Sequence, residues 1–66
     1  MQISVNGAAI QAPQPTTLSA LLEQLKLGGQ RLAVELNGEI IVRSQHAQTT
    51  LKDGDRLEIV QAIGGG

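Results

Sequence analysis

The chain has no cysteine and no phenylalanine, tyrosine or tryptophan. Without cysteine it can form no disulfide and offers no thiol nucleophile, thiolate metal ligand or side-chain persulfide. Without aromatic rings it has no stacking platform for single-stranded nucleic acid. Its six acidic and five basic residues are interspersed and give a net charge of −1, so a basic footprint for nucleic acid is missing too. These absences exclude cysteine-dependent catalysis and predict no nucleic-acid partner.

Long apolar stretches are missing as well. No apolar run approaches the ~20 residues that a membrane-spanning helix needs, and residues 1–5 lack the basic and apolar regions of a signal peptide. Because cysteine-free chains suit a reducing compartment, we expect a cytoplasmic protein without a membrane partner, monomeric when free. A length of 66 residues predicts one small domain whose core is built from leucine, isoleucine and valine.

The first half of the chain reads as a hairpin followed by a helix. Apolar and polar residues alternate over residues 1–5, as in a half-buried strand. Asn6-Gly7 is a preferred pair for a tight hairpin turn, and residues 8–12 return as a second strand that ends at Pro13. Leucines then recur at helical spacing, at Leu18, Leu21, Leu22 and Leu25. Thr16 or Thr17 can cap this helix, and Gly28-Gly29 is predicted to end it, one of these glycines as a left-handed C-cap.

The second half predicts further strands. Residues 32–36 alternate, Asn37-Gly38 marks a turn, and residues 40–42 form a short apolar run. Residues 43–50 are polar and predict a loop, with room for one helical turn. Asp53-Gly54-Asp55 is a turn signature before the last strand.

The last strand, residues 57–63, is apolar on both faces. Leu57, Ile59 and Ile63 share one face, and Val60 and Ala62 share the other. Such a pattern is typical of a central strand. One helix and four or five strands in so short a chain predict an α+β fold of the β-grasp type. In that arrangement one helix packs on a mixed sheet, and the first and last strands are parallel central neighbours.

No set of side chains suggests an internal active site. His46 has no orienting acid or nucleophile near it in sequence, so we expect an exposed or loop-packing histidine. Asp53 and Asp55 flank a glycine and are more typical of a turn than of a paired acid or of a metal site, which would need more oxygen ligands. We therefore expect no metal, no bound cofactor and no catalysis by this chain alone.

The three glycines of residues 64–66 are the remaining candidate. We expect a domain over residues 1–63 and a flexible tail over residues 64–66, since glycine has no Cβ and can enter a narrow slot. From Ala62 to Gly66 an extended tail reaches about 17 Å at most. A terminal carboxylate becomes an acyl donor once ATP converts it to an acyl-adenylate, which then accepts sulfide or a lysine amine. The alternative is a binding module with a disordered end.

The sequence resembles the ThiS-type sulfur carriers of bacterial thiamine biosynthesis, members of the ubiquitin-like β-grasp superfamily. The resemblance spans essentially the whole chain. Its strongest part is the segment Leu51 to Val60, followed by Gly65-Gly66 at the end. Further segments that carry it are Met1-Gln2-Ile3, Thr17-Leu18 with Leu21-Leu22, and Val34-Glu35-Leu36-Asn37-Gly38.

This resemblance implies a sulfur-carrying cycle. A ThiF-type, E1-like enzyme would use ATP to adenylate the Gly66 carboxylate. Sulfur from a desulfurase persulfide would convert it to a thiocarboxylate, and a ThiG-type thiazole synthase would take that sulfur. Ile63, Gly64 and Gly65 would be the tail that the partners bind. Two alternatives keep the reactive end: a sulfur carrier for molybdopterin synthesis, and a ubiquitin-like modifier, for which only Lys26 and Lys52 are available for chain building.

Overall fold

Five strands and one α-helix make up the part of the chain that the structure describes, residues 1–61 of a computed structural model. All five strands join one sheet of order β2-β1-β5-β3-β4. The predicted α+β fold with one helix is confirmed. In chain order the elements are β1 (Gln2–Val5), β2 (Ala8–Gln11), α1 (Leu18–Gln24), β3 (Leu32–Leu36), β4 (Glu39–Ile40), a 3₁₀ helix (Arg43–Gln48) and β5 (Arg56–Gln61).

The last strand, β5, lies in the middle of the sheet. It runs parallel to β1, with Ser4 opposite Arg56 and Val5 opposite Leu57. On its other side β5 runs antiparallel to β3 and pairs with the whole length of β3. The predicted parallel pairing of the first and last strands is therefore confirmed. Since a parallel pair cannot be joined by a tight turn, all the intervening elements form the crossover between them.

Both predicted Asn-Gly turns are present. Asn6 and Gly7 have φ angles of 51° and 86°, and Asn37 and Gly38 have φ angles of 51° and 88°. A two-residue turn with positive φ at both positions matches the right-handed twist of the strands that it joins. Asparagine and glycine tolerate this left-handed region better than other residues, so these turns set the register of the two hairpins.

Helix α1 begins at a single capping threonine. Thr17 has extended backbone angles, φ −100° and ψ 164°, and its side chain accepts a hydrogen bond from the Ala20 N–H at 3.1 Å. Of the two predicted candidates, Thr17 is thus the N-cap. Thr16 is buried beside it.

Replacing Thr17 by alanine should lower the free energy of unfolding by about 1 kcal/mol, because one helix N–H then loses its acceptor. Thr17→Ser keeps the hydroxyl and should stay close to the wild type. Urea unfolding followed by circular dichroism measures both variants. Equal losses for the alanine and serine variants would show that the hydroxyl does not cap the helix.

The predicted end of the helix at Gly28-Gly29 is wrong. The helix ends at Gln24, and Lys26 is the left-handed residue after it, with φ 62°. The Lys26 N–H donates to Glu23 O at 2.9 Å, and the Leu27 N–H donates to Leu22 O at 2.8 Å. This pair of bonds is a Schellman motif. Leu27 also packs against the core. This tertiary contact favours the helix end at Gln24, whereas composition alone predicts an end at Gly28-Gly29.

The core lies between α1 and one face of the sheet. Leu57 and Ile59 of β5 face the helix, whereas Val60 points to the opposite, open face and is 63% exposed. The two apolar faces of the last strand correctly predicted its central position, but this chain covers only one of them. The buried apolar residues are Ile3, Ala12, Leu18, Leu21, Leu22, Val34, Leu51, Leu57 and Ile59.

Candidate functional site

The predicted site follows directly on β5. Its residues, Ile63, Gly64, Gly65 and Gly66, lie outside the described residues, so their roles stay predictions. The structure describes the strand that leads to them as far as Gln61. The site can therefore be built from what holds this strand and what directs it.

The two neighbours of β5 support it over different lengths. On one side β3 stays paired to the end, with Leu32 opposite Gln61. On the other side the main chain of β1 pairs only as far as Leu57, because β1 then turns away. Asn6 continues the contact: its side-chain amide bonds the main chain of Ile59. The strand is thus held on both sides up to Ile59 and, from there to Gln61, by hydrogen bonding on the β3 side.

The two aspartates before β5, Asp53 and Asp55, accept hydrogen bonds that hold neighbouring parts of the chain. Asp53 Oδ1 accepts a hydrogen bond from the Gln2 N–H at 2.7 Å. Asp55 Oδ2 accepts from the Lys52 N–H at 2.7 Å, and its Oδ1 accepts from the Asn37 side-chain amide at 3.0 Å. Asp53 thus ties the turn to β1, whereas Asp55 bonds within the turn and to the neighbouring Asn37. The predicted turn is confirmed, and the alternative of a paired acid finds no support in this geometry.

His46 lies in the predicted polar loop, within the 3₁₀ helix, and is only 8% exposed. Its Nε2 donates to the Ile41 carbonyl at 3.0 Å, which places the histidine in a packing role. The loop-packing prediction is confirmed and the exposed alternative is wrong. Polar neighbours in sequence could not show that the ring turns inward.

Two depressions lie on the surface of residues 1–61. One, of about 170 Å³, contains Arg43 and His46, and is smaller than most small-molecule sites. The other, of about 380 Å³, is lined without any charged side chain, by Pro13, Pro15, Thr16, Thr17, Ala20 and Thr50. Neither has both the volume and the positive charge that a nucleoside triphosphate needs.

Within residues 1–61, no three histidine or acidic side chains are grouped closely enough to hold a metal ion. No helix of this part of the chain is long and apolar enough to cross a bilayer.

Comparison with known proteins assigns the chain to a family. The model of the ThiS family matches residues 2–66, which include the glycines after β5. The chain belongs to the ThiS family. The sulfur carrier protein ThiS of Escherichia coli K12 is 39% identical to this ThiS-family chain over 66 residues, and the match covers 100% of both proteins. The resemblance read from the sequence, to the ThiS-type sulfur carriers, is confirmed.

A second relative of this ThiS-family chain is much longer. The thiazole synthase of Paramagnetospirillum magneticum is 42% identical over 66 residues, covering 100% of this chain and 20% of that protein. The ThiS-family chain therefore spans about a fifth of that relative.

A solved structure confirms the fold. The crystal structure of the thiamine biosynthesis protein ThiS from Geobacter metallireducens superposes with a TM-score of 0.86 at 36% identity, covering 100% of both chains. The predicted β-grasp arrangement is thus that of a ThiS protein.

Sequence reasoning missed two residues that act on β5, Asn6 and Asn37. Both were predicted only as turn residues. Each also sends its side-chain amide to the main chain of the central strand. Their positive φ was predictable from the Asn-Gly pairs, but the partner of each amide depends on residues more than fifteen positions away in the sequence.

Proposed function

We propose that this ThiS-family chain carries sulfur as a thiocarboxylate on Gly66 and delivers it for thiazole formation in thiamine biosynthesis. The observation that carries the proposal is the end-to-end match to a sulfur carrier protein, through the last glycine. The fold agrees with this role, because the central strand β5 ends at Gln61, three positions before the first of the glycines in sequence. The chain has no cysteine, so its sulfur has to be held on another group.

The chemistry begins at a carboxylate that is inert by itself. Its negative charge resists nucleophiles, and the reaction with ATP removes that charge by forming an acyl-adenylate with loss of pyrophosphate. Hydrosulfide, or the outer sulfur of a persulfide, then attacks the carbonyl carbon and AMP leaves. The attack by hydrosulfide yields the thiocarboxylate directly, with no change of oxidation state. The attack by a persulfide yields an acyl disulfide, which a thiol then reduces to the thiocarboxylate while its own sulfur enters a disulfide.

ATP is proposed to bind to the activating partner. Neither of the two depressions described above combines nucleotide size with positive charge, which supports an ATP site on a ThiF-type, E1-like enzyme. That enzyme would bind the folded domain and draw residues 63–66 into its own active site. A desulfurase persulfide would supply the sulfur.

A thiazole synthase is the proposed acceptor of the sulfur. In the relative named thiazole synthase, a segment similar to this chain shares one polypeptide with a much longer remainder. Covalent linkage raises the effective concentration of two modules for each other. Such a fusion is useful when the two modules act on each other, which supports a thiazole synthase as the partner of the separate carrier.

Intact-mass spectrometry tests the proposal. Incubation with the ThiF-type enzyme of the same genome, ATP and sodium sulfide should raise the mass by the difference between one sulfur and one oxygen atom. Fragmentation should place this change on Gly66. Omitting ATP is the control and should leave the mass unchanged. Absence of the shift with all components present, or conjugation to a lysine in its place, would contradict the proposal.

A further inference from the structure

The two Asn-Gly turns do more than join their strands. Each asparagine lies at the first position of its turn with φ 51°, and each directs its side-chain amide out of the turn toward β5. The two amides bond different parts of that strand. Asn37 acts where β5 begins, and Asn6 acts near its end.

Asn6 bonds Ile59 as a peptide group of a neighbouring strand would. The Ile59 N–H donates to Asn6 Oδ1 at 2.7 Å, and Asn6 Nδ2 donates to the Ile59 carbonyl at 2.9 Å. The main-chain N–H of Asn6 also donates to the Leu57 carbonyl at 2.9 Å. The side chain therefore extends the parallel ladder by one step after the main chain of β1 has turned away at Gly7.

This step is the last support on the β1 side of β5 within the described residues. Past Ile59, the pairing of β5 with β3 continues, as Ala33 opposite Val60 and Leu32 opposite Gln61. Ile59 is seven residues before Gly66. A shift of the strand at Ile59 therefore changes the point from which the following residues start.

We propose that Asn6 is a positioning residue for sulfur loading: it holds the main chain of Ile59 and so fixes the last part of β5, from which the tail starts. The inference rests on the proposed function, in which a partner acts on the last carboxylate. A displacement of 1 Å at a reacting group can lower a rate by about 100-fold. A residue that orients the strand before the tail thus affects the reaction without touching it.

Asn37 is a matched control. It has the same residue type, the same turn position and the same φ as Asn6. Its Oδ1 accepts from the Arg56 N–H at 2.9 Å, and its Nδ2 donates to Asp55 Oδ1 at 3.0 Å. These bonds hold the start of β5, at the opposite end from the tail. Removing either amide costs the fold two hydrogen bonds, part-buried at Asn6 and exposed at Asn37, but only those of Asn6 hold the last part of β5.

The test compares Asn6→Gly with Asn37→Gly, because glycine keeps the positive φ and removes only the amide. Amide hydrogen exchange on the protein alone should accelerate about tenfold at Ile59 in the first variant and at Arg56 in the second, as each N–H loses its acceptor. Urea midpoints should fall in both variants, and further in Asn6→Gly, whose lost bonds are part-buried. Unchanged exchange at Ile59 would show that the Asn6 amide does not hold the main chain of Ile59, whatever the loading assay shows.

Sulfur loading is then measured with the ThiF-type enzyme, ATP and sulfide. Asn6→Gly should lower kcat about tenfold with little change in KM, because the domain is still recognised but its tail is misdirected. Asn37→Gly should load at close to the wild-type rate. Asn6→Asp keeps the acceptor for Ile59 and should recover part of the loss. Equal kcat for the two glycine variants would overturn the positioning role, whereas failure of the wild type to load would overturn the proposed function.

Discussion

Removal of Gly65 and Gly66 together should abolish ATP-dependent sulfur loading and leave thermal stability unchanged. The truncated chain still ends in a carboxylate, but that group lies two residues short, about 7 Å at full extension. A shift of this size exceeds the 1 Å that can already cost about 100-fold in rate. Within residues 1–61 the last buried apolar residue is Ile59, and the two deleted glycines carry no side chain, so no apolar side chain of the core is removed.

Removal of a single glycine is the control for this truncation. Because the three glycines are adjacent and identical, any single deletion leaves the same Gly-Gly end, one residue closer to the domain. That variant should still load sulfur at a measurable but lower rate. Mass spectrometry reports the loading, and circular dichroism reports the melting temperature. Wild-type loading by the double deletion, or a large drop in its melting temperature, would contradict the proposed placement of the site.

Leu57→Ala should be the most destabilising of the substitutions considered. Leu57 is fully buried, on the central strand, where it faces α1. Shortening such a side chain removes apolar burial and leaves a cavity, at a cost of about 3 kcal/mol. For a domain of this size that corresponds to a drop in melting temperature of about 15 °C or more.

Val60→Ala on the same strand is the matched control. Val60 is 63% exposed on the open face of the sheet, so its shortening should cost no more than about 0.5 kcal/mol. Thermal and urea unfolding of the two variants measure the difference. Similar losses in both would show that the two faces of β5 are buried to the same extent, contrary to the structure.

Much of the fold was predictable because its signals are local. The Asn-Gly turns require positive φ, the leucine spacing matches one face of a helix, and Asp53-Gly54-Asp55 is a turn by composition. Each of these signals acts within a few residues and does not depend on distant parts of the chain. The central position of β5 was predictable for a similar reason, since the strand carries apolar residues on both of its faces.

The end of α1 shows where local reasoning failed. Gly28-Gly29 was the obvious stop, but the helix ends at Gln24 with Lys26 in the left-handed position. The Schellman bonds and the packing of Leu27 against the core offset the strain at Lys26. Helix propensities of residues other than proline differ by about 1 kcal/mol or less, so such contacts readily outweigh them.

The sequence alone identified the type of protein and its candidate reactive end, since the glycines, the missing cysteine and the family segments are all written in the chain. Tertiary structure decided which groups hold the strand before that end. Asn6 bonds Ile59 from across the sheet, and His46 turns inward to Ile41. A side-chain amide or imidazole can bond many partners, and only the folded chain determines which of them it meets.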